Sequence, residues 1–107
     1  MVNLKEETIK AIEDNGAFID EIEWIGLRGF FYNNENGKIP IKDFWQLADF
    51  EYDDGYGSAC IPLDLVVVGS DWWLERREYD GAEWWSFKKK PVEPTSFLDV
   101  EKLTDLD

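Results

Sequence analysis

The sequence contains no histidine and only one cysteine, Cys60, among 107 residues. Without histidine there is no Ser-His or Cys-His nucleophilic site, no His-containing zinc site and no imidazole for acid-base catalysis. A single cysteine excludes an intrachain disulfide, and there is no signal peptide or apolar run of membrane length. These absences predict a cytoplasmic protein with no catalytic residue, no cofactor and no membrane contact.

Positive charge is also scarce, with 11 basic residues against 24 acidic ones and a net charge of -13. The resulting field repels nucleic acid and acidic membranes and favours basic partners, including surfaces that normally hold DNA or RNA. The same charge also increases solubility. The composition therefore predicts no direct nucleic-acid binding, and it leaves open whether the acidity serves binding or solubility.

The residues that are abundant are sufficient for one domain spanning residues 1-107, since 44% are hydrophobic and 16% aromatic. Capping signals and apolar periodicity predict helices over residues 4-15 and 42-49 and a short last helix around residues 97-103. Alternating or β-branched runs predict strands at 19-28, 63-69, 72-79 and 82-90. We expect an α+β fold with an antiparallel sheet of about four strands, a C-terminal three-stranded meander, and two or three short helices.

The last two strands form the most specific pattern, because Asp80-Gly81 is a strong two-residue hairpin signal. With these two residues in the turn, residues whose numbers sum to 161 lie opposite each other. Two pairs of adjacent tryptophans, Trp72-Trp73 and Trp84-Trp85, then each place one indole on each face of the hairpin. Face A has Trp72, Leu74, Arg76, Glu78, Glu83, Trp85, Phe87 and Lys89, and face B has Trp73, Glu75, Arg77, Tyr79, Ala82, Trp84, Ser86 and Lys88.

Face A is the predicted core side. On face B, Arg77 lies opposite Trp84 and Lys88 opposite Trp73, which predicts cation-π pairs. Three interpretations of face B stay open at this stage: a solvent-side ladder, a face covered by a helix, and a contact surface for a partner or a second copy. For the contact surface, the candidate residues are Trp73, Arg77, Tyr79 and Trp84, of types that are frequent at binding hot spots.

Acidic residues cluster in a loop that also contains Gly55 and Gly57. Spaced carboxylates can imitate nucleic-acid phosphates and occupy a basic groove. An alternative from a different class is a divalent-metal-dependent enzyme centred on the loop carboxylates, although the sequence contains no recognised metal motif. The candidate phosphate-mimicking residues are Asp49, Glu51, Asp53 and Asp54 in the loop, together with Asp20, Glu21 and Glu23.

The segment from Phe50 to Pro91 contains EYDDGYGS, IPLDLVVVGSDWWLER and EYDGAEWWSFKKKP. In these motifs it resembles a family of small proteins encoded by phages and prophages of Gram-positive bacteria. The resemblance covers about two fifths of the chain and implies a bacterial host cytoplasm. It also implies a role as an inhibitor of host defence, of which anti-CRISPR proteins are the best-known kind. The family has no assigned catalytic residue, so none is carried over.

Together these features predict a non-enzymatic, phage-encoded inhibitor that binds a host nucleic-acid-handling protein, most specifically a CRISPR effector nuclease. Acidic residues would face the basic groove of that protein, and the aromatic face B would anchor the contact. There are two alternatives. One is a self-associating module that forms a homodimer through the Trp73 and Trp84 face, and the other is the metal-dependent enzyme.

Overall fold

The computed structural model describes residues 1-29 and 36-106 and confirms the α+β fold. Its main sheet has five strands in the order β3-β2-β5-β6-β7, all antiparallel, and β1 and β4 form a separate two-stranded ribbon. The elements are β1 (Val2–Asn3), α1 (Leu4–Glu13), β2 (Trp24–Leu27), β3 (Gly37–Ile39), α2 (Ile41–Leu47), β4 (Glu51–Tyr52), β5 (Leu65–Val68), β6 (Trp72–Tyr79) and β7 (Ala82–Lys89).

Helix α1 follows the capping signals in the sequence. The Asn3 side chain accepts a hydrogen bond from the Glu6 backbone N–H at 3.0 Å, which satisfies one of the free donors of the first turn. The chain leaves the helix through Gly16, whose φ of 83° suits a residue without a Cβ. The helix buries Leu4, Thr8 and Ile12 and packs on β7, so it covers one face of the hairpin.

The β6-β7 hairpin has the predicted register, with Trp72 opposite Lys89 and Tyr79 opposite Ala82. Asp80 and Gly81 have φ values of 50° and 90°, and this pair of positive angles defines the tight turn that matches strand twist. Trp72, Leu74 and Trp85 of face A are buried in the core as predicted. The turn chemistry therefore decides which tryptophan of each doublet enters the core.

The predicted strand over residues 19-28 was wrong in its first half. Residues Ile19–Glu21 form a turn of 3-10 helix, and pairing starts only at Trp24. The Glu21 carboxylate accepts a hydrogen bond from the Phe18 N–H at 3.0 Å, which holds the chain in a turn. Local side-chain capping thus overrides the alternating pattern there.

The structure has one strand more than predicted in the main sheet. Gly37–Ile39 pairs with β2 where the sequence predicted only turn and helix, and residues 33-35 of that predicted turn lie outside the described residues. A Cβ on Gly26 would lie 2.3 Å from the Gly37 carbonyl oxygen, so this close strand approach requires glycine in β2. Only Ile39 of these three residues is apolar and half-buried, so the strand has no alternating apolar pattern by which the sequence could reveal it.

The second predicted helix is confirmed as α2, which buries Phe44. Neither helix in the described part of the chain is long and apolar enough to cross a membrane. The last predicted helix was wrong: only Leu103–Asp105 forms a 3-10 turn, and every residue from Pro91 to Leu106 is exposed. An isolated helix of this length is marginal without an apolar surface to pack on, and here it has none.

Candidate functional site

A charged residue, Arg76, lies in the buried face A of the hairpin. Its guanidinium forms ion pairs with Glu83 at 2.9 Å and with Glu7 of α1 at 3.3 Å, and it donates a hydrogen bond to the Tyr52 hydroxyl at 3.0 Å. The side chains of Arg76 and Glu83 are fully buried. We call Glu7, Tyr52, Arg76 and Glu83 the polar cluster.

Glu83 also holds the acidic loop, which here comprises residues 53-61 between β4 and β5, against the sheet. Its carboxylate accepts hydrogen bonds from the backbone N–H groups of Cys60 at 2.6 Å and Ile61 at 3.2 Å. Its own backbone N–H donates to the Asp54 carbonyl at 2.8 Å. One buried residue therefore holds the loop at both of its ends, residues 54 and 60-61.

Aromatic groups complete the polar cluster. The Arg76 guanidinium carbon lies 4.7 Å from the ring centre of Trp85, within cation-π range. The indole N–H of Trp85 donates to the Thr8 hydroxyl at 2.9 Å, and that hydroxyl donates to the Leu4 carbonyl at 2.7 Å. The buried tryptophan thus joins α1 to β7 with its polar atom satisfied.

Within the polar cluster, the Tyr52 hydroxyl donates to the Glu7 carboxylate. Burial raises the pKa of Tyr52 well above its ordinary value, and the hydrogen bond to Glu7 raises it further. Arg76 acts in the opposite direction but does not cancel these effects. The tyrosine is therefore neutral across the physiological range and acts as a hydrogen-bond donor to Glu7.

The polar cluster is a set of contacts that sequence reasoning missed. The register had already placed Arg76 and Glu83 on face A, in diagonal positions across the hairpin. Opposite charges at diagonal positions on a core face are a usable signal for a buried ion pair. Because the side chains are buried and paired with each other, their role is to position the loop and α1 on the sheet.

The loop that Glu83 holds lies against the turn of the hairpin. A Cβ on Gly81 would meet the backbone of Gly55, Tyr56 and Gly57 within 3.6 Å. The loop packs on the face A side of the turn, so exposed side chains of the loop and of face B lie at this end of the hairpin on its two sides. We call them the hairpin-end surface: exposed Asp53, Tyr56, Arg77, Tyr79 and Trp84, and half-buried Asp54.

Face B is exposed mainly at this end. Trp84 is 43% exposed and Tyr79 and Arg77 are exposed, whereas Trp73 is half-buried and its indole N–H donates to Glu75 at 2.8 Å. Further across the sheet, Val66 lies beside Glu75 on the same face and is only 2% exposed. None of the eight residues of face B is itself buried: Arg77, Tyr79 and Trp84 are exposed, and the other five are half-buried.

Neither cation-π pair predicted for face B is formed among the described residues. Arg77 lies opposite Trp84 and Lys88 opposite Trp73, as expected. The guanidinium of Arg77 reaches the Glu75 carboxylate at 3.7 Å, a long ion pair between two residues of β6. The cation-π contact with tryptophan that the structure shows in the hairpin is on face A, between Arg76 and Trp85.

The seven candidate carboxylates are not on one surface. Glu21 accepts a hydrogen bond from the indole of Trp72 at 3.2 Å, so Asp20, Glu21 and Glu23 lie near the open end of the hairpin. Asp53 and Asp54 lie near the turn of the hairpin. Trp72 at the open end and Glu78 near the turn are six strand residues apart, which at about 3.3 Å per residue corresponds to about 20 Å. The structure therefore separates these two acidic groups.

Asp49 and Glu51 form a third group at the start of α1. The Asp49 carboxylate accepts a hydrogen bond from the Asn3 amide at 3.0 Å, and Glu51 is the strand partner of Asn3. Asp53 instead accepts from the Gly55 N–H at 3.0 Å, in a turn of its own. Across residues 1-29 and 36-106, no three acidic, His or Cys side chains converge in a way that could hold a metal ion.

No protein-family model, curated protein or solved structure matches this chain. The hairpin-end surface and its buried support are therefore the features on which a functional conclusion must be built.

Proposed function

We propose that the protein is a non-enzymatic inhibitor that binds a basic, nucleic-acid-binding surface of a host protein through the hairpin-end surface. The supporting observation is that exposed Tyr56, Tyr79 and Trp84 lie at the same end of the hairpin as Asp53 and Asp54, where a buried ion pair holds the loop in place. Aromatic anchors on a fixed support lose little conformational entropy on binding. Adjacent carboxylates add attraction to a basic groove.

The resemblance to phage and prophage proteins supplies the first partner to test, a CRISPR effector nuclease. A groove of this kind is lined by basic side chains that hold a nucleic-acid backbone. The chain has a net charge of -13, so the contact is expected to weaken steeply with salt as the charges on the two surfaces are screened.

The decisive test measures inhibition of purified RNA-guided nucleases by wild type and by two variants with matched charge. Asp53→Asn with Asp54→Asn removes two charges at the turn and keeps an amide oxygen that can accept the hydrogen bond from Gly55. Asp20→Asn with Glu23→Gln removes two charges at the other end of the hairpin. We expect the first variant to weaken inhibition by about tenfold or more and the second by less than about threefold.

Equal losses from both variants would mean that only total charge matters, and inhibition unaffected by salt and by both variants would contradict the proposal. A separate substitution tests the aromatic anchor. Trp84→Ala is expected to weaken binding by about 30-fold, the effect of a hot spot of about 2 kcal/mol, while leaving the unfolding midpoint within a few degrees of wild type. Unchanged affinity would remove Trp84 from the contact.

Self-association is the second candidate function, because Trp84 leaves part of face B exposed. Sedimentation of wild type beside Trp84→Ala separates it from the first. A wild-type dimer that becomes a monomer on substitution supports self-association, and a wild type that is monomeric at high micromolar concentration excludes it.

A further inference from the structure

The segment that follows β7 is covered by no other part of the described chain. Every residue from Pro91 to Leu106 is exposed, and six of them are large and apolar. The Cα radius of gyration is 16.8 Å, whereas a compact domain of about 100 residues has about 13 Å. The exposed apolar residues are Val92, Phe97, Leu98, Val100, Leu103 and Leu106.

The sequence of this segment has the signals of a helix that the isolated chain does not form. Ser96 followed by Asp99 has the spacing of a capping box, and Phe97, Val100 and Leu103 recur every three residues, which places them on one side of a helix. A helix of about ten residues needs an apolar surface to be stable in water. These are the properties of a segment that folds when it binds.

The apolar surface that a second copy would offer is a groove of about 210 Å³ near α2. It is lined mainly by apolar residues, among them Leu27, Ile39, Phe44, Leu47 and Phe50. Electrostatic repulsion opposes the binding of this segment in the groove of a second copy. Residues 91-107 contain five acidic residues and one basic residue, and residues 1-90 contain 19 acidic and 10 basic ones, so the segment and the groove-bearing body repel each other.

We infer that residues 96-106 are a docking segment that becomes helical in an apolar groove with a basic rim on a partner protein. Phe97, Val100 and Leu103 enter the groove, and Asp99 and Glu101, which flank this apolar stripe on the helix, face the rim. This is the helix-in-groove mode of recognition, in which apolar residues anchor and charged neighbours orient. The inference rests on the proposed function only in that the partner is basic, and it places a second contact away from the hairpin-end surface.

Site-specific photocrosslinking tests the docking segment in the full chain. A photoreactive phenylalanine analogue replaces Phe97 in one protein and Lys102 in a matched control, and each is irradiated in a lysate of a Gram-positive bacterium with a CRISPR system. The expected result is an adduct with one protein from position 97 and much less from position 102. The adduct is then identified, and its protein partner is purified for affinity and hydrogen-exchange measurements.

With that purified protein, Phe97→Ser combined with Leu103→Ser is expected to weaken affinity by at least about tenfold. Asp99→Lys combined with Glu101→Lys is expected to weaken it severalfold, and Val92→Ser, an exposed control outside the docking segment, should change nothing. Backbone amides 97-106 should become protected from exchange on binding. Affinity that survives the serine substitutions, or rises on charge reversal, overturns the inference.

The remaining outcomes are equally decisive. An adduct of twice the chain mass would show that a second copy is the occupant, and equal adducts or none from positions 97 and 102 would show that the segment does not dock; each overturns the inference. The proposed function is tested separately by the Asp53→Asn and Asp54→Asn variant. Loss of inhibition in that variant with the position-97 adduct retained supports both contacts, whereas a lost adduct with inhibition retained removes only the docking segment.

Discussion

The two faces of the β6-β7 hairpin contain similar side chains and use them in opposite ways. Each face has two tryptophans and one arginine. On face A, Arg76 and Trp85 are buried; Nη2 of Arg76 is bonded to Glu83, and the indole N–H of Trp85 is bonded to Thr8 of α1. On face B, Arg77 and Trp84 are exposed near the turn. What covers a face, and not its composition, decides whether a tryptophan-arginine pair supports the fold or is available to a partner.

The two faces also depend on each other. Glu83 is buried on face A, and its hydrogen bonds position the loop that holds Asp53, Asp54 and Tyr56 at the turn end of the hairpin, where face B is exposed. The exposed surface is therefore ordered by a buried charge. A buried ion pair contributes little net stability compared with apolar residues, but it leaves an uncompensated charge when one partner is removed.

The largest effect is expected from Glu83→Ala. The substitution leaves Arg76 buried with a single carboxylate partner and releases the N–H groups of Cys60 and Ile61, so the free energy of unfolding should fall by about 3 to 5 kcal/mol. Urea denaturation measures this change. The matched control is Glu78→Ala, at the position opposite Glu83 but exposed, which should change stability by less than about 0.5 kcal/mol.

Equal stability losses in the two variants would contradict the assignment of different roles to the buried and exposed carboxylates. Protease cleavage of the same Glu83 variant tests how the loop is held. Where it remains folded at low temperature, its loop should be cleaved faster by protease than that of wild type, because the loop loses the hydrogen bonds from Cys60 and Ile61 and keeps only the backbone bond at Asp54.

A smaller effect is expected from Thr8→Val, which keeps the shape of the side chain and removes the hydroxyl. The indole N–H of Trp85 then has no acceptor in the core, so the unfolding free energy should fall by about 1 to 3 kcal/mol. Thr95→Val, at an exposed position after β7, is the control and should have little effect. A stable Thr8 variant would show that the hydrogen bond between α1 and face A contributes nothing.

Much of the hairpin could be predicted from sequence because its determinants are local. Asp80-Gly81 specifies the turn, the turn fixes the register, and the two-residue period then assigns Trp72 and Trp85 to the core. The capping of α1 by Asn3 is local in the same sense. In each case the deciding residues are within a few positions of the feature that they determine.

The rest depends on contacts between distant positions. Arg76 meets Glu7 only because α1 packs on β7, a pairing 69 residues apart in the chain. The length of the hairpin separates Asp20 from Asp53, which sequence reasoning had grouped by charge alone. The last predicted helix failed for a related reason: its apolar residues are present, but no surface of the described chain receives them.

The smallest predicted effect concerns Tyr52 and appears only at alkaline pH. Because the folded protein raises the pKa of Tyr52 above its ordinary value of about 10, the folded state holds the phenolic proton more tightly than the unfolded state. Its contribution is complete below pH 10 and is lost as the pH rises towards the folded-state pKa. Between pH 9 and 11, wild type should therefore lose more unfolding free energy than Tyr52→Phe, whereas exposed Tyr79→Phe should follow wild type; identical slopes for all three proteins would contradict a neutral Tyr52 in the polar cluster.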